Sequence, residues 1–208
     1  MPSLKRAVQQ RDTLARFADD LAMVLPTVDA RTSGQYGDGL GSEDEPEQLA
    51  ALLAELRAAD ESYDDVSREV PYPDRESVCD IQLPDGTPVE AKLLRYWRAN
   101  GDPEPDMYTH VFSPFHSNTL LTDARRLAAS EFSMSGGLLG LFYARDAGDS
   151  TTVEDLPERF TAPDIAQKVV EDIDYWYDLE CTIARIAFVD GLQHSVHRRA
   201  AVIAWSLE

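Results

Sequence analysis

"VCDIQLPDGTPVEAKLLRYW", residues 78–97, reads as a β-hairpin that carries charge on one face. Two apolar runs flank "PDGT", a strong combination of turn formers. Alternate side chains of an extended strand share a face, so Glu90 and Lys92 point one way while Ala91 and Leu93 point the other. Whether Asp80 joins them depends on the turn. A three-residue loop, Pro84-Asp85-Gly86, pairs Leu83 with Thr87 and sets Asp80 opposite Glu90. A two-residue loop, Asp85-Gly86, pairs Asp80 with Ala91 and turns it to the other face. Convergence therefore demands an odd-numbered loop. The lysine itself needs a reason: Lys5, Lys92 and Lys168 are the only lysines among 19 basic residues, and Lys92 alone lies in a strand-like run.

Working outward, Val66 to Tyr72 makes a third strand candidate ahead of Val78 to Leu83 and Val89 to Trp97. Before them, "PEQLAALLAELRAAD" offers proline at a helix start and Leu49, Leu52, Leu53 and Leu56 on one face. Residues 4 to 25 read as a helix with Leu4, Val8, Leu14, Phe17, Leu21 and Leu25 mostly three or four apart, and Arg31 to Glu47 as an acidic, glycine-rich loop. Downstream, "HVFSPF" is a short apolar piece broken by Pro114. "NTLLTDARRLAASEF" is a helix capped near Asn118 or Thr119, and "GGLLGLFYAR" is a buried strand. After an acidic loop come a helix, "APDIAQKVVEDIDYWYDLE", and two terminal strands, "TIARIAFVD" and "RAAVIAWSL". This order implies an α/β fold with a mixed central β-sheet flanked by helices. An N-terminal helix and loop over 1–46 precede the main domain over 47–208.

Two carboxylates a few Å apart repel each other, and a cation between them relieves the repulsion. Mg²⁺ or Mn²⁺ suits such a place because it takes oxygen ligands and keeps water for chemistry. An ammonium beside the metal stabilises charge that develops on a phosphate. Asp-x9-Glu-x-Lys is hence a kit for metal-dependent phosphodiester hydrolysis.

"CDIQLPDGTPVEAKLLR" resembles the core hairpin of the PD-(D/E)xK nuclease superfamily, the restriction-endonuclease-like fold. The resemblance extends to the element order from about Glu47 to Arg145. It implies that Asp80 and Glu90 bind Mg²⁺ or Mn²⁺, that Lys92 assists the attacking water, and that the substrate is nucleic acid, most often DNA. A glutamate from the first helix often joins such sites, and Glu45 or Asp60 could fill that role. Cys79 replaces the proline of the motif, although Pro73-Asp74 stands just upstream. Arg125 or Arg126, on the following helix, would contact the phosphate.

The chain carries 38 acidic and 19 basic residues, a net charge of -19, which disfavours long-range attraction to phosphate backbones. An acidic, arginine-over-lysine surface fits a high-salt cytoplasm, and a basic protein partner is the competing explanation. The alternative to a nuclease is thus a catalytically inactive protein of the same fold serving as an acidic protein-interaction module. In a nuclease, a partner could supply the missing basic surface. The N-terminus lacks a signal-peptide pattern, so the expected location is cytoplasmic, with Cys79 and Cys181 reduced and buried. Ser113, His116 and Asp123 supply the letters of a serine hydrolase without a Gly-x-Ser-x-Gly elbow. His194 and His197 with Arg198 and Arg199 suggest a basic edge, and Tyr175, Trp176, Tyr177 and Trp205 read as packing aromatics.

Overall fold

The computed structural model describes residues 4–132, 134–145 and 160–208; the acidic loop expected after Arg145 lies largely outside them. The hairpin has the odd loop. The Leu83 amide donates to the Thr87 carbonyl (2.9 Å), and Ile81 and Gln82 pair with Val89 and Pro88. The turn chemistry explains the choice. Gly86 takes a φ of 89°, which a side chain resists, and the Asp85 carboxylate accepts the Thr87 amide at 3.0 Å.

Helix α1 (Leu4–Asp29) is followed by a small hairpin, β1 (Ser33–Gly34) and β2 (Gly37–Asp38), inside the segment read as a loop. Then come α2 (Glu45–Ala59) and the meander β3 (Ser67–Pro71), β4 (Val78–Gln82) and β5 (Pro88–Arg95). Helices α3 (Met107–Phe112) and α4 (Leu120–Ala128) cross over to β6 (Gly137–Ala144), which runs parallel to β5. The chain closes with α5 (Ala162–Tyr177), β7 (Cys181–Asp190) and β8 (Arg199–Leu207). The six-stranded sheet has the order β3-β4-β5-β6-β8-β7, with the β5–β6 pair parallel and the other four antiparallel. The protein is therefore a mixed α/β fold with helices on both faces. The sequence reading missed α3, because Pro114 suggested a break; the proline lies just beyond the helix end, where it is tolerated.

Each face has its own core. Leu14, Phe17, Leu21 and Leu25 of α1 and Leu49, Leu52 and Leu56 of α2 pack on Ile81, Ala91, Leu139 and Val202. On the other face, Leu120, Leu121 and Leu127 of α4 and Ile165 and Val169 of α5 pack on Leu94, Leu138, Ile203 and Trp205. The N-terminal helix thus lies within the main core. It sits so near β6 that a Cβ on Gly137 would fall 2.5 Å from a Leu14 methyl carbon. Phe17, on the same helix, is 1% exposed and packs against the Tyr63 ring. Phe17→Ala should cost about 3–5 kcal/mol in urea unfolding, in the same single transition as the rest of the chain. A loss below about 1 kcal/mol would show that α1 is an appendage.

Candidate active site

At Asp80 regular pairing is interrupted toward β3 and ends toward β5. Toward β3, its register partner Glu69 adopts a φ of 51°, between the Arg68–Ile81 and Val70–Cys79 pairs. A non-glycine residue in the left-handed region is uncommon and costs energy that the surroundings must offset. Toward β5, pairing ends at Ile81–Val89, and continuing it would set Cys79 against Ala91 and Asp80 against Glu90. Instead the Ala91 amide donates to Asp80 Oδ2 at 2.7 Å, and the Leu93 amide donates to Glu45 Oε2 at 2.6 Å. Amides of alternate residues face the same strand edge, so two carboxylates occupy the places that β4 vacates. Glu45, in the first turn of α2, is the helix acid at this site; Asp60 instead pairs with Arg16 and the Ser62 amide. Asp74 is bound by its neighbour Arg75 and stands apart.

Behind the notch lies a buried charge network. Glu90 is 1% exposed; its Oε1 accepts from Tyr72 Oη (2.5 Å) and Arg126 Nε (3.1 Å). Arg126 also reaches Asp123 Oδ1 (2.6 Å), and Lys92 Nζ lies 3.1 Å from Asp123 Oδ2. That oxygen accepts no well-directed hydrogen bond among the described residues, although Lys92 faces it as an ion-pair partner. Asp123 and Tyr72 were not singled out for this chemistry from the sequence. The signal was present for Asp123, since it falls on the stripe of Leu120, Ala124 and Leu127 and must point inward with them. Arg125, one residue from Arg126, faces elsewhere: its guanidinium lies over the Tyr177 ring at 5.4 Å.

Four carboxyl groups, of Glu45, Asp80, Glu90 and Asp123, therefore face two cations, Lys92 and Arg126. The imbalance shows in the proton affinities. Burial, then the nearby Asp80 charge, pushes Glu90 up to about 8, and burial pushes Glu45 up to about 7. Burial likewise raises Asp123. For Lys92 burial acts in the opposite sense, but the charges of Asp123, Glu45 and Asp80 outweigh it and its pKa is raised. Lys92 is thus a persistent ammonium.

No family model, curated protein or solved structure matches this chain. The chemistry rests on the site alone. Its donors are all oxygens and its charge deficit is that of one divalent cation, both of which fit Mg²⁺ or Mn²⁺ held by Asp80 and Glu90. Among the described residues no three acidic, histidine or cysteine side chains form a metal cage by themselves. Mg²⁺ commonly takes only one or two carboxylates and completes its shell with water and phosphate, so two are enough.

Other sequence candidates separate from this cluster. Ser113 Oγ and His116 Nδ1 do lie 2.8 Å apart, but Asp123 is committed to Lys92 and Arg126, and no triad forms. His194 and His197 are both 1% exposed and stack at 4.7 Å, with His197 Nε2 against the Trp97 carbonyl at 2.9 Å. They are interior groups, not the basic edge expected, and burial pushes His197 down to about 4. Cys79 and Cys181 are buried free thiols.

The glutamates set a pH dependence. The folded chain holds protons on Glu90 and Glu45 that the unfolded chain has released, so their stabilisation is complete below the ordinary value of 4.5. It is lost as pH rises through about 7 and about 8. Glu90→Gln should therefore be more favourable, relative to the native protein, at pH 9 than at pH 5 in urea unfolding without divalent ions. A larger relative loss at pH 9 would contradict this reading. Arg126→Met, which strands Glu90 and Asp123, should cost about 3–5 kcal/mol at pH 8 and less at pH 5.

Proposed function

We propose that the protein is a metal-dependent nuclease of the PD-(D/E)xK type, built on a restriction-endonuclease-like core and acting most readily on DNA. The observation that carries the proposal is the notch beside Asp80, which brings the Asp80 and Glu45 carboxylates to one strand edge next to the partly buried Lys92 ammonium. Asp80 and Glu90 would hold Mg²⁺ or Mn²⁺. When bound, the ion supplies Lewis-acid polarisation of the phosphate and a more acidic water.

The chain's own residues do the rest. Lys92, kept charged by Asp123 and Glu45, orients the water and stabilises charge developing on the phosphoryl oxygens; as an ammonium it is not the general base. Asp123 fixes Lys92, and Tyr72 and Arg126 fix Glu90. Glu45 holds the exposed edge of β5 through the Leu93 amide. Arg126, which now bridges Glu90 and Asp123, would contact the phosphate. Hydrolysis proceeds without a covalent enzyme intermediate. The two buried free thiols suit a cytoplasmic location.

A second reading has its own observation. Arg126 already bridges Glu90 and Asp123, so the cluster is partly neutralised from within, as in an inactive protein of this fold kept as an acidic interaction module. The two readings separate in solution. For a nuclease, calorimetry should show a saturable Mg²⁺ or Mn²⁺ site that Asp80→Ala removes and Lys92→Ala retains. Binding should release about one proton per ion near pH 7 and strengthen up to about pH 8, where Glu90 ionises. Lys92→Ala should lower cleavage of labelled DNA by about 10²–10³-fold. Equal weak binding by all three proteins, with no cleavage, favours the interaction module.

A further inference from the structure

Tyr175 and Trp176 are not core residues. Their side chains are 76% and 42% exposed, and the loop residue Phe115 beside them is 81% exposed. The three rings form one cluster: Phe115 meets Trp176 at 5.4 Å and 73°, and Trp176 meets Tyr175 at 5.0 Å and 86°. Edge-to-face contacts leave ring faces open to solvent. Arg125 lies against the next aromatic residue, Tyr177, and has no carboxylate partner among the described residues.

Phe115 also lines a cleft of about 490 Å³ with Arg75, His116, Arg125 and Arg126. Among the described residues no acid lines it, in a chain with twice as many acids as bases. One end of this cleft is Arg126, which touches Glu90 and Asp123 of the acidic site. Among the described residues, an aromatic ledge, an arginine with no carboxylate partner and a cleft lined by no acid therefore lie together beside Arg126.

We infer that the Phe115–Trp176 ledge and the Arg75–Arg125 cleft form a binding track for a single-stranded polynucleotide, with a base stacked on Phe115 and a phosphate on Arg125. The inference rests on the nuclease reading for the direction of the strand, toward Glu90, and it names the substrate class. Every base offers a π face, so the track is sequence-tolerant. A duplex hides those faces and would lose this contact.

The charge inventory decides which force dominates. Arg75 is bound by Asp74, and Arg126 by Glu90 and Asp123, so among the described residues Arg125 is the one arginine of the cleft with no carboxylate partner. Binding should then depend on stacking more than on counterion release. With one or two phosphates engaged, log K should fall with log salt with a slope of about −0.7 to −1.4. Such binding survives the molar salt to which an acidic surface is suited, where long-range attraction is screened within about 3 Å.

The test is fluorescence anisotropy in EDTA, which prevents cleavage, using end-labelled oligonucleotides of about 12 nucleotides. The probes are oligo-dT, oligo-U and a DNA duplex, each at about 0.1 M and about 1 M salt. Native protein should bind the single strands at least about tenfold more tightly than the duplex. Phe115→Ala should weaken binding about 5- to 100-fold and Arg125→Ala about 5-fold, with unchanged melting temperature and metal binding. Comparison of oligo-dT with oligo-U shows whether the strand is DNA or RNA. Equal affinity for the duplex, a steep salt slope, or unaffected variants would overturn the track. So would no binding of any probe, which would leave the ledge to a protein partner. Adding Mg²⁺ then tests the nuclease separately: single strands bound through Phe115 but left uncut keep the track and sink the nuclease. Cleavage that is indifferent to Phe115→Ala does the reverse.

Discussion

The carboxylate of Asp80 stands where a strand would otherwise be. Once β4 leaves β5 after Ile81, the Ala91 amide would face an apolar interior or open water, and Asp80 Oδ2 takes it at 2.7 Å. Glu45 does the same for Leu93 one step along. These two bonds let the sheet open without leaving unpaired donors, and unpaired buried donors are costly. The opening in turn lets a helix from each face deliver polar groups to the middle of the sheet: α2 brings Glu45 and α4 brings Asp123 and Arg126. Without the notch, Glu90 and Lys92 would be two side chains under a continuous core.

The ion pairs of this network differ in kind from those at the surface. Arg16–Asp20 and Arg185–Asp19 are half exposed, so salt and water screen them and each contributes little. The Lys92–Asp123 pair is shielded, with Asp123 fully buried, and removal of one partner leaves a charge with nowhere to go. The charges of Asp123, Glu45 and Asp80 hold Lys92 protonated against its own burial, while burial above all leaves protons on Glu90 and Glu45. An acidic chain thus concentrates its electrostatic frustration in one place while its outer surface stays merely hydrated.

Much of this was legible in the chain. Alternation placed Glu90 and Lys92 on one face, and Pro-Asp-Gly marked the turn, while its loop length, and with it the face of Asp80, stayed open between two and three residues. Apolar periodicity found α1, α2, α4 and α5, because a helix that must bury one stripe writes it every three or four residues. Local rules of this kind depend on neighbours within one turn or one hairpin, and such neighbours are adjacent in sequence.

What the sequence by itself determined was therefore the mixed α/β order and the shared face of Glu90 and Lys92; the loop length, and with it the place of Asp80 opposite Glu90, came from the structure. Only the tertiary structure decided between Glu45 and Asp60, and between Arg126 and Arg125. It also joined Asp123 to Lys92, drew His194 and His197 into the interior, and set Phe115 against Trp176, 61 positions away. The physical reason is the same in each case. Those contacts join elements separated by crossovers, and which helix face meets which strand edge follows from packing the two cores against the sheet, a sum over many residues that no local pattern records.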